Sequence, residues 1–120
     1  MRAIVILGLL ALALAGCSGG TTSDGDFVTP EQDGQGRYVI HMEPSLRFSP
    51  ANAVVPVGAT VVFVNDGGSH DVRSDSLGFR SPFPVEEEYE VTVDEPGDHP
   101  FWCNPHENAG MKGVLRVTAA

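Results

Sequence analysis

Positive charge is the scarcest property of this chain. Seven lysines and arginines stand against 16 aspartates and glutamates, a formal net charge of −9, and Lys112 is the single lysine. That balance argues against a nucleic-acid partner and against electrostatic attachment to anionic lipid, both of which need clustered cations. Long apolar runs are scarce as well. The one such run, Ala3–Ala15, falls short of the roughly 20 residues a membrane-spanning helix requires. No helical period of useful length and no internal repeat follow it. The 120 residues are enough for one small domain but not for two. Cysteine is nearly absent, at two residues, Cys17 and Cys103.

What is present begins with a leader. Met1 and Arg2 form a minimal positive start, Ala3–Ala15 an apolar stretch, and small residues follow, as in a secretory signal peptide. Leu14-Ala15-Gly16-Cys17 resembles a lipobox, where bacterial and archaeal lipoproteins are cleaved and acylated on the cysteine. An ordinary signal peptide with a chance cysteine is the plainer alternative, and the short run argues against an uncleaved anchor. The expectation is a signal peptide over residues 1–16 and a lipidated Cys17, whose two chains suffice for stable anchoring. The expected location is the outer face of the cell membrane or the periplasm. Ser18–Gly36 is rich in Gly, Ser, Thr, Asp and Gln, with little to bury. Residues 17–36 are therefore expected to be a flexible tether, with an edge strand at Phe27-Val28 as the alternative. Loss of Arg2 makes the mature chain one unit more negative. Such acidity suits a halophile, where about 1 M salt shortens the Debye length to roughly 3 Å and leaves apolar contact to do more of the docking.

From Arg37 to Ala120 the sequence reads as short strands between turns. Tyr38, Ile40 and Met42 alternate with Val39 and His41, and Thr60–Asn65 is a β-branched and aromatic run stopped by Asp66-Gly67-Gly68. Tyr89, Val91 and Val93 share one face, opposite Glu90 and Thr92. Glu95-Pro96-Gly97-Asp98 is a turn, and His99–Cys103 and Val114–Thr118 are the last two strands. Short strands with Gly and Pro between them predict an all-β, antiparallel sandwich or barrel over residues 37–120.

The chemistry lies in Cys103-Asn104-Pro105-His106-Glu107-Asn108-Ala109-Gly110-Met111. Thiolate, imidazole and thioether stand there in C-x2-H-x4-M spacing, at a strand end and in the loop beyond. With one cysteine assigned to lipid, Cys103 is a lone thiol in an oxidising compartment, protected only by metal or by deep burial. Sulfur ligands suit Cu(I), and imidazole suits both oxidation states of copper. His70, just past the Gly67-Gly68 break, is the candidate second imidazole. Two His and one Cys with a weak axial Met is the set associated with blue-copper electron transfer.

These residues resemble the plastocyanin family of blue copper proteins, the cupredoxins. The resemblance rests on Glu95-Pro96-Gly97, Phe101-Trp102-Cys103-Asn104-Pro105-His106 and Ala109-Gly110-Met111-Lys112-Gly113, with Phe48-Ser49-Pro50, Val57-Gly58 and His70-Asp71-Val72 upstream. In acidity and apparent lipidation the chain is most similar to the halocyanins of salt-loving archaea. The resemblance implies a Greek-key β-sandwich of about seven or eight strands and one copper ion. It also implies His70, Cys103 and His106 as equatorial ligands and Met111 as the axial one. Two neutral imidazoles and a thiolate leave a net charge of +1 with Cu(II) and zero with Cu(I), so cycling needs little rearrangement. The implied function is transfer of single electrons between membrane redox complexes by a non-enzymatic monomer, with redox proteins as donor and acceptor.

Three positions depart from the family. Asp71 stands where Asn is usual; near the Cys103 sulfur its charge lowers the reduction potential, and turned to solvent it has little effect. His99 replaces a Tyr, and at about 13 Å along the strand from Cys103 it is expected to be a hydrogen-bonded structural histidine. Pro100 predicts an edge strand or a bulge. Trp102 points away from the metal, either as packing or as a remote route for electrons. His41 reads as a surface histidine and Met42 as core. Glu86-Glu87-Glu88 with Glu90 is either a solvated loop or a docking patch for a basic redox partner. Pro105, Ala109 and Gly110 could form an apolar patch around the His106 edge. The rivals are a copper-storage lipoprotein without redox traffic and a redox-inert β-sandwich used for adhesion.

Overall fold

The computed structural model describes residues 26–119; the expected signal peptide 1–16 and lipidation at Cys17 lie outside the described residues. Nine short strands run in chain order: β1 (Tyr38–Glu43), β2 (Arg47–Ser49), β3 (Asn52–Pro56), β4 (Thr60–Asn65), β5 (Arg73–Ser74), β6 (Phe79–Arg80), β7 (Glu88–Thr92), β8 (Gly97–Trp102) and β9 (Lys112–Thr118). They form two sheets, ordered β2-β1-β4-β7 and β3-β9-β8-β5-β6. The all-β sandwich reading therefore holds, and two of its strand pairings are parallel where antiparallel ones were expected. β1 pairs with β4, and β3 with β9, in parallel. The chain crosses between sheets after β2 and again after β3, so strands that become neighbours are not consecutive.

Alternation along each strand directs one face inward. Ile40 and Met42 from β1, Val61 and Phe63 from β4 and Phe48 from β2 meet Ala53, Val55, Phe101, Leu115 and Val117 from the other sheet, all buried. Phe101 is the hub. Its ring packs edge-on against Phe48 at 4.8 Å and Phe63 at 5.4 Å between centroids. Full burial of one such aromatic stabilises by roughly 2–3 kcal/mol. Because Phe101 and Cys103 share strand phase, this cluster also anchors the thiol's side of β8.

Pro100 does not lie on an edge strand, since β8 runs between β9 and β5. The short β5 pairs with β8 only at Arg73 and Trp102. At Pro100 the flank away from β9 is thus uncovered, and a residue without an N–H can stand there.

The described part of the expected tether is attached to the sandwich. Val28 bridges Ala53 in parallel and Gln32 bridges Tyr38 in antiparallel fashion. Val28 donates to the Asn52 carbonyl at 3.0 Å, Val54 to Val28 at 2.9 Å and Val39 to Glu31 at 2.9 Å. The Phe27 ring lies 3.8 Å from the Arg116 guanidinium. Composition flagged this stretch as polar; backbone hydrogen bonding to an open sheet edge holds it nonetheless.

Gly113, opposite Phe101 in the β8–β9 pair, shows how tightly these layers close. A methyl there would collide with the Ala51 carbonyl and come within 2.6 Å of the Phe101 ring. Gly113→Ala is expected to lower stability by about 1–3 kcal/mol through overpacking, read as a lower urea midpoint of the metal-free protein. An unchanged midpoint would show that Ala51 yields without cost.

Candidate metal centre

Two loops converge at one end of the sandwich. The first leaves β4. The Asn65 side-chain amide donates to the Val85 carbonyl at 2.7 Å and the Gly68 carbonyl at 2.9 Å, and its oxygen accepts from Gly67 N–H at 2.9 Å. This turn delivers His70, which is completely buried. The His70 Nε2–H donates to the Gly67 carbonyl at 2.8 Å. That choice of tautomer leaves the Nδ1 lone pair free, as a metal ligand requires. Gly68, at φ +95°, lies so close that a Cβ would sit 2.9 Å from His70 Nε2. Asn65 was not singled out from the sequence; its only signal was its place just before Asp66-Gly67-Gly68.

The second loop is the motif itself. Asn104–Ala109 forms a 3-10 helix, with Pro105 in its first turn and Gly110 closing it at φ +91°. No helix was expected after the leader; Asn-Pro at the start and Gly at the end were the available signals. Backbone bonds stitch the loop to itself. Cys103 N–H reaches the Met111 carbonyl at 3.0 Å, His106 N–H the Cys103 carbonyl at 3.2 Å, and Met111 N–H the His106 carbonyl at 3.2 Å. The C-x2-H-x4-M spacing is thus one tight turn and its closure. It sets His106 beside Cys103 and returns the fully buried Met111 to the base of β8.

The donor atoms meet. His70, Cys103 and His106 place one ligand atom each within 4.8 Å of one another. The two Nδ1 atoms are 3.3 Å apart, and the Cys103 Sγ lies 3.9 Å from His70 Nδ1 and 3.4 Å from His106 Nδ1. A metal about 2.0–2.1 Å from each nitrogen puts two such nitrogens near this separation, so the set fits an ion with N,N,S ligands. Among the described residues no other such cluster occurs. Cys103 and His70 are buried, while His106 keeps partial exposure.

The two loops are joined through Asp71, which follows His70 in the first. One carboxylate oxygen accepts from Asn104 N–H at 2.6 Å and the other from Arg73 Nε at 2.9 Å. The side chain is 1% exposed. Of the two situations foreseen for this residue, the solvent-facing one is excluded: Asp71 is buried, its charge acts on the Cys103 thiol, and Arg73, which the sequence reading passed over, pairs with it. His99 is buried, with Nδ1 2.8 Å from the Ser76 hydroxyl and Nε2 2.7 Å from the Glu95 carbonyl. It stands outside the donor cluster, as its distance along the strand implied.

Other expected features separate. Trp102 is half-buried on the side of β8 away from Cys103, where it lines a cleft of about 370 Å³ with Pro100, Lys112 and Val114. Pro105, Ala109 and Gly110 are exposed beside His106. The acidic run is divided. Arg37 pairs with Glu88 at 2.9 Å and Glu90 at 3.0 Å as well as Asp33 at 2.7 Å, leaving Glu86 and Glu87 exposed beside Phe83.

The family model described as copper binding proteins, plastocyanin/azurin family, matches residues 37–118. The chain is 36% identical over 88 residues to the chloroplastic plastocyanin minor isoform of Arabidopsis thaliana, covering 61% of this chain and 52% of that protein. It is 34% identical over 85 residues to plastocyanin A/B of Petroselinum crispum, covering 60% and 88%. The chain thus spans about half the length of several curated relatives it matches. A purple cupredoxin from Nitrosopumilus maritimus shares the fold at TM-score 0.58 and 24% identity, over 67% of this chain and 98% of that one.

Burial pushes the Cys103 thiol above its ordinary value, and the Asp71 charge adds to the rise, while backbone hydrogen bonds at Asp71 and His106 pull the other way. The metal-free thiol is therefore protonated at neutral pH, and a bound metal requires the thiolate. Metal uptake is expected to release a proton, with affinity rising about tenfold per pH unit for each proton released. Calorimetry in buffers of different ionisation enthalpy measures it. Equal heats in all buffers would contradict the raised thiol.

Proposed function

The chain belongs to the plastocyanin/azurin family of copper binding proteins, and from that premise we propose that it is a type 1 copper electron carrier anchored by lipid at Cys17. One copper ion is the cofactor. The observation that carries the reading is the convergence of His70 Nδ1, Cys103 Sγ and His106 Nδ1 within 4.8 Å at one end of the sandwich. His70, Cys103 and His106 serve as equatorial ligands and Met111 as the weak axial one. Bound there, copper supplies a one-electron Cu(II)/Cu(I) couple.

The chain's own residues do the rest. The closed backbone of Cys103–Met111 and the Asn65-braced turn hold the donors in place, so little reorganises when charge changes. Burial of Cys103 and His70 excludes water. The partly exposed His106 edge, ringed by Pro105, Ala109 and Gly110, is the short path to a partner that docks by apolar contact. A donor set closed in this way offers no position for substrate, which is why we read a carrier and not an enzyme. The partners are redox proteins of the membrane or the exported space, and the lipobox supports an outward-facing anchor. The chain is read as a monomer.

Adding Cu(II) to the purified protein is expected to give an intense thiolate-to-copper absorption band and a reversible one-electron couple. Cys103→Ser is expected to abolish the band. A band that survives Cys103→Ser sinks the ligand assignment, and bound copper without electron exchange favours storage instead. Asp71→Asn retains an acceptor for Asn104 N–H but removes a buried negative charge and leaves Arg73 unpaired. It is expected to raise the reduction potential, since less negative charge favours Cu(I). Voltammetry of the two proteins at one pH decides this; identical potentials would show that Arg73 already cancels the carboxylate.

A further inference from the structure

The path of residues 26–32 has a direction that bears on how this protein sits at a membrane. Val28 N–H bonds to the Asn52 carbonyl and Val54 N–H to the Val28 carbonyl, so the segment runs parallel to β3, with Val28 level with Ala53. β3 in turn runs parallel to β9, with Asn52 level with Val114. Continuing that register sets Asp26 level with Ala51 and Gly113, two residues past Met111. The chain therefore enters the sandwich at the end that carries the donor cluster and runs toward the opposite end. There Gln32 bridges Tyr38, the first residue of β1.

The entry is held by more than two backbone bonds. Phe27 stacks on the Arg116 guanidinium at 3.8 Å, and Arg116 is itself fixed by two hydrogen bonds to Asp98, at 2.8 and 3.0 Å. Pro30 is buried. Without these contacts the first firm attachment would be Glu31 and Gln32, at the far end.

Covalent geometry then limits the reach. Cys17 and Asp26 are nine residues apart, and nine residues span at most about 30 Å. The far end of the sandwich, level with Thr118, lies five strand residues beyond Gly113, about 17 Å. With the copper end toward the bilayer, the link to Cys17 closes at any extension. With the far end toward it, more than half of the available length must double back along the sandwich.

We propose that the docked segment Asp26–Pro30 turns the copper end of the domain toward the membrane that holds it. The surface around His106 then meets a membrane-embedded redox protein whose exchanging group lies within about 30 Å of the bilayer surface, not a partner approaching from the open compartment. The inference rests on the lipidation of Cys17 proposed above.

The test uses the mature lipidated protein, loaded with Cu(I), in nanodiscs whose headgroups carry a gadolinium chelate. Relaxation enhancement of backbone amides is read by NMR. Gly110 and Lys112, at the copper end, are expected to broaden at least about twofold more than Gly58 and Gly97, at the far end. Equal broadening, or a gradient in the other sense, overturns the orientation while leaving the anchor intact. A protein that does not join the nanodiscs overturns the anchor, and the orientation with it. The double variant Phe27→Ala, Val28→Pro removes the stack and the bond to Asn52, moving the attachment to the far end. Its gradient is expected to flatten or invert; an unchanged gradient shows that the docked segment does not set the orientation.

Discussion

The hydrogen bond from Asn104 N–H to the Asp71 carboxylate, 2.6 Å long, joins two loops that belong to different sheets. One leaves β4 and carries His70; the other leaves β8 and carries Cys103, His106 and Met111. A centre assembled from both is only as well placed as the link between them. A buried carboxylate is costly unless its oxygens are satisfied, and here Asn104 and Arg73 take one oxygen each. This closure ties the loop that carries His70 to the loop that carries the other donors.

Beneath the link, stiffness comes from packing and from backbone. Phe101 wedges against Phe48 and Phe63 two residues before the thiol, so β8 cannot shift without opening the core. The Cys103–Met111 turn is closed by its own backbone bonds at Cys103, His106 and Met111. The His70 turn is closed through the Asn65 amide. Loops braced in this way resist rearrangement, which would slow exchange in an electron carrier.

Charge is spent locally before it can act at long range. Arg37 gathers Asp33, Glu88 and Glu90, and Arg116 takes Asp98. Neighbouring carboxylates push the Arg37 guanidinium further above its ordinary value, led by Glu88. Of the acidic run, Glu86 and Glu87 remain beside an exposed Phe83. That segment adjoins the copper loop, because Val85 N–H bonds to the His70 carbonyl at 2.8 Å.

The strand pattern, the core alternation of Ile40 and Met42 and the three-ligand motif were legible in the sequence because each depends on residues close together in the chain. Period-two burial marks a strand whatever lies across from it, and C-x2-H-x4-M spans a single turn. His70 could be nominated only through its place after a strand-ending Gly pair and through family resemblance. Its meeting with Cys103 depends on how two sheets stack. Tertiary structure alone decided the parallel pairings, the uncovered flank at Pro100, the docking of Phe27 on Arg116 and the Asp71–Arg73–Asn104 linkage. Each joins groups brought together by the fold, through backbone hydrogen bonds and side-chain reach that no local pattern records.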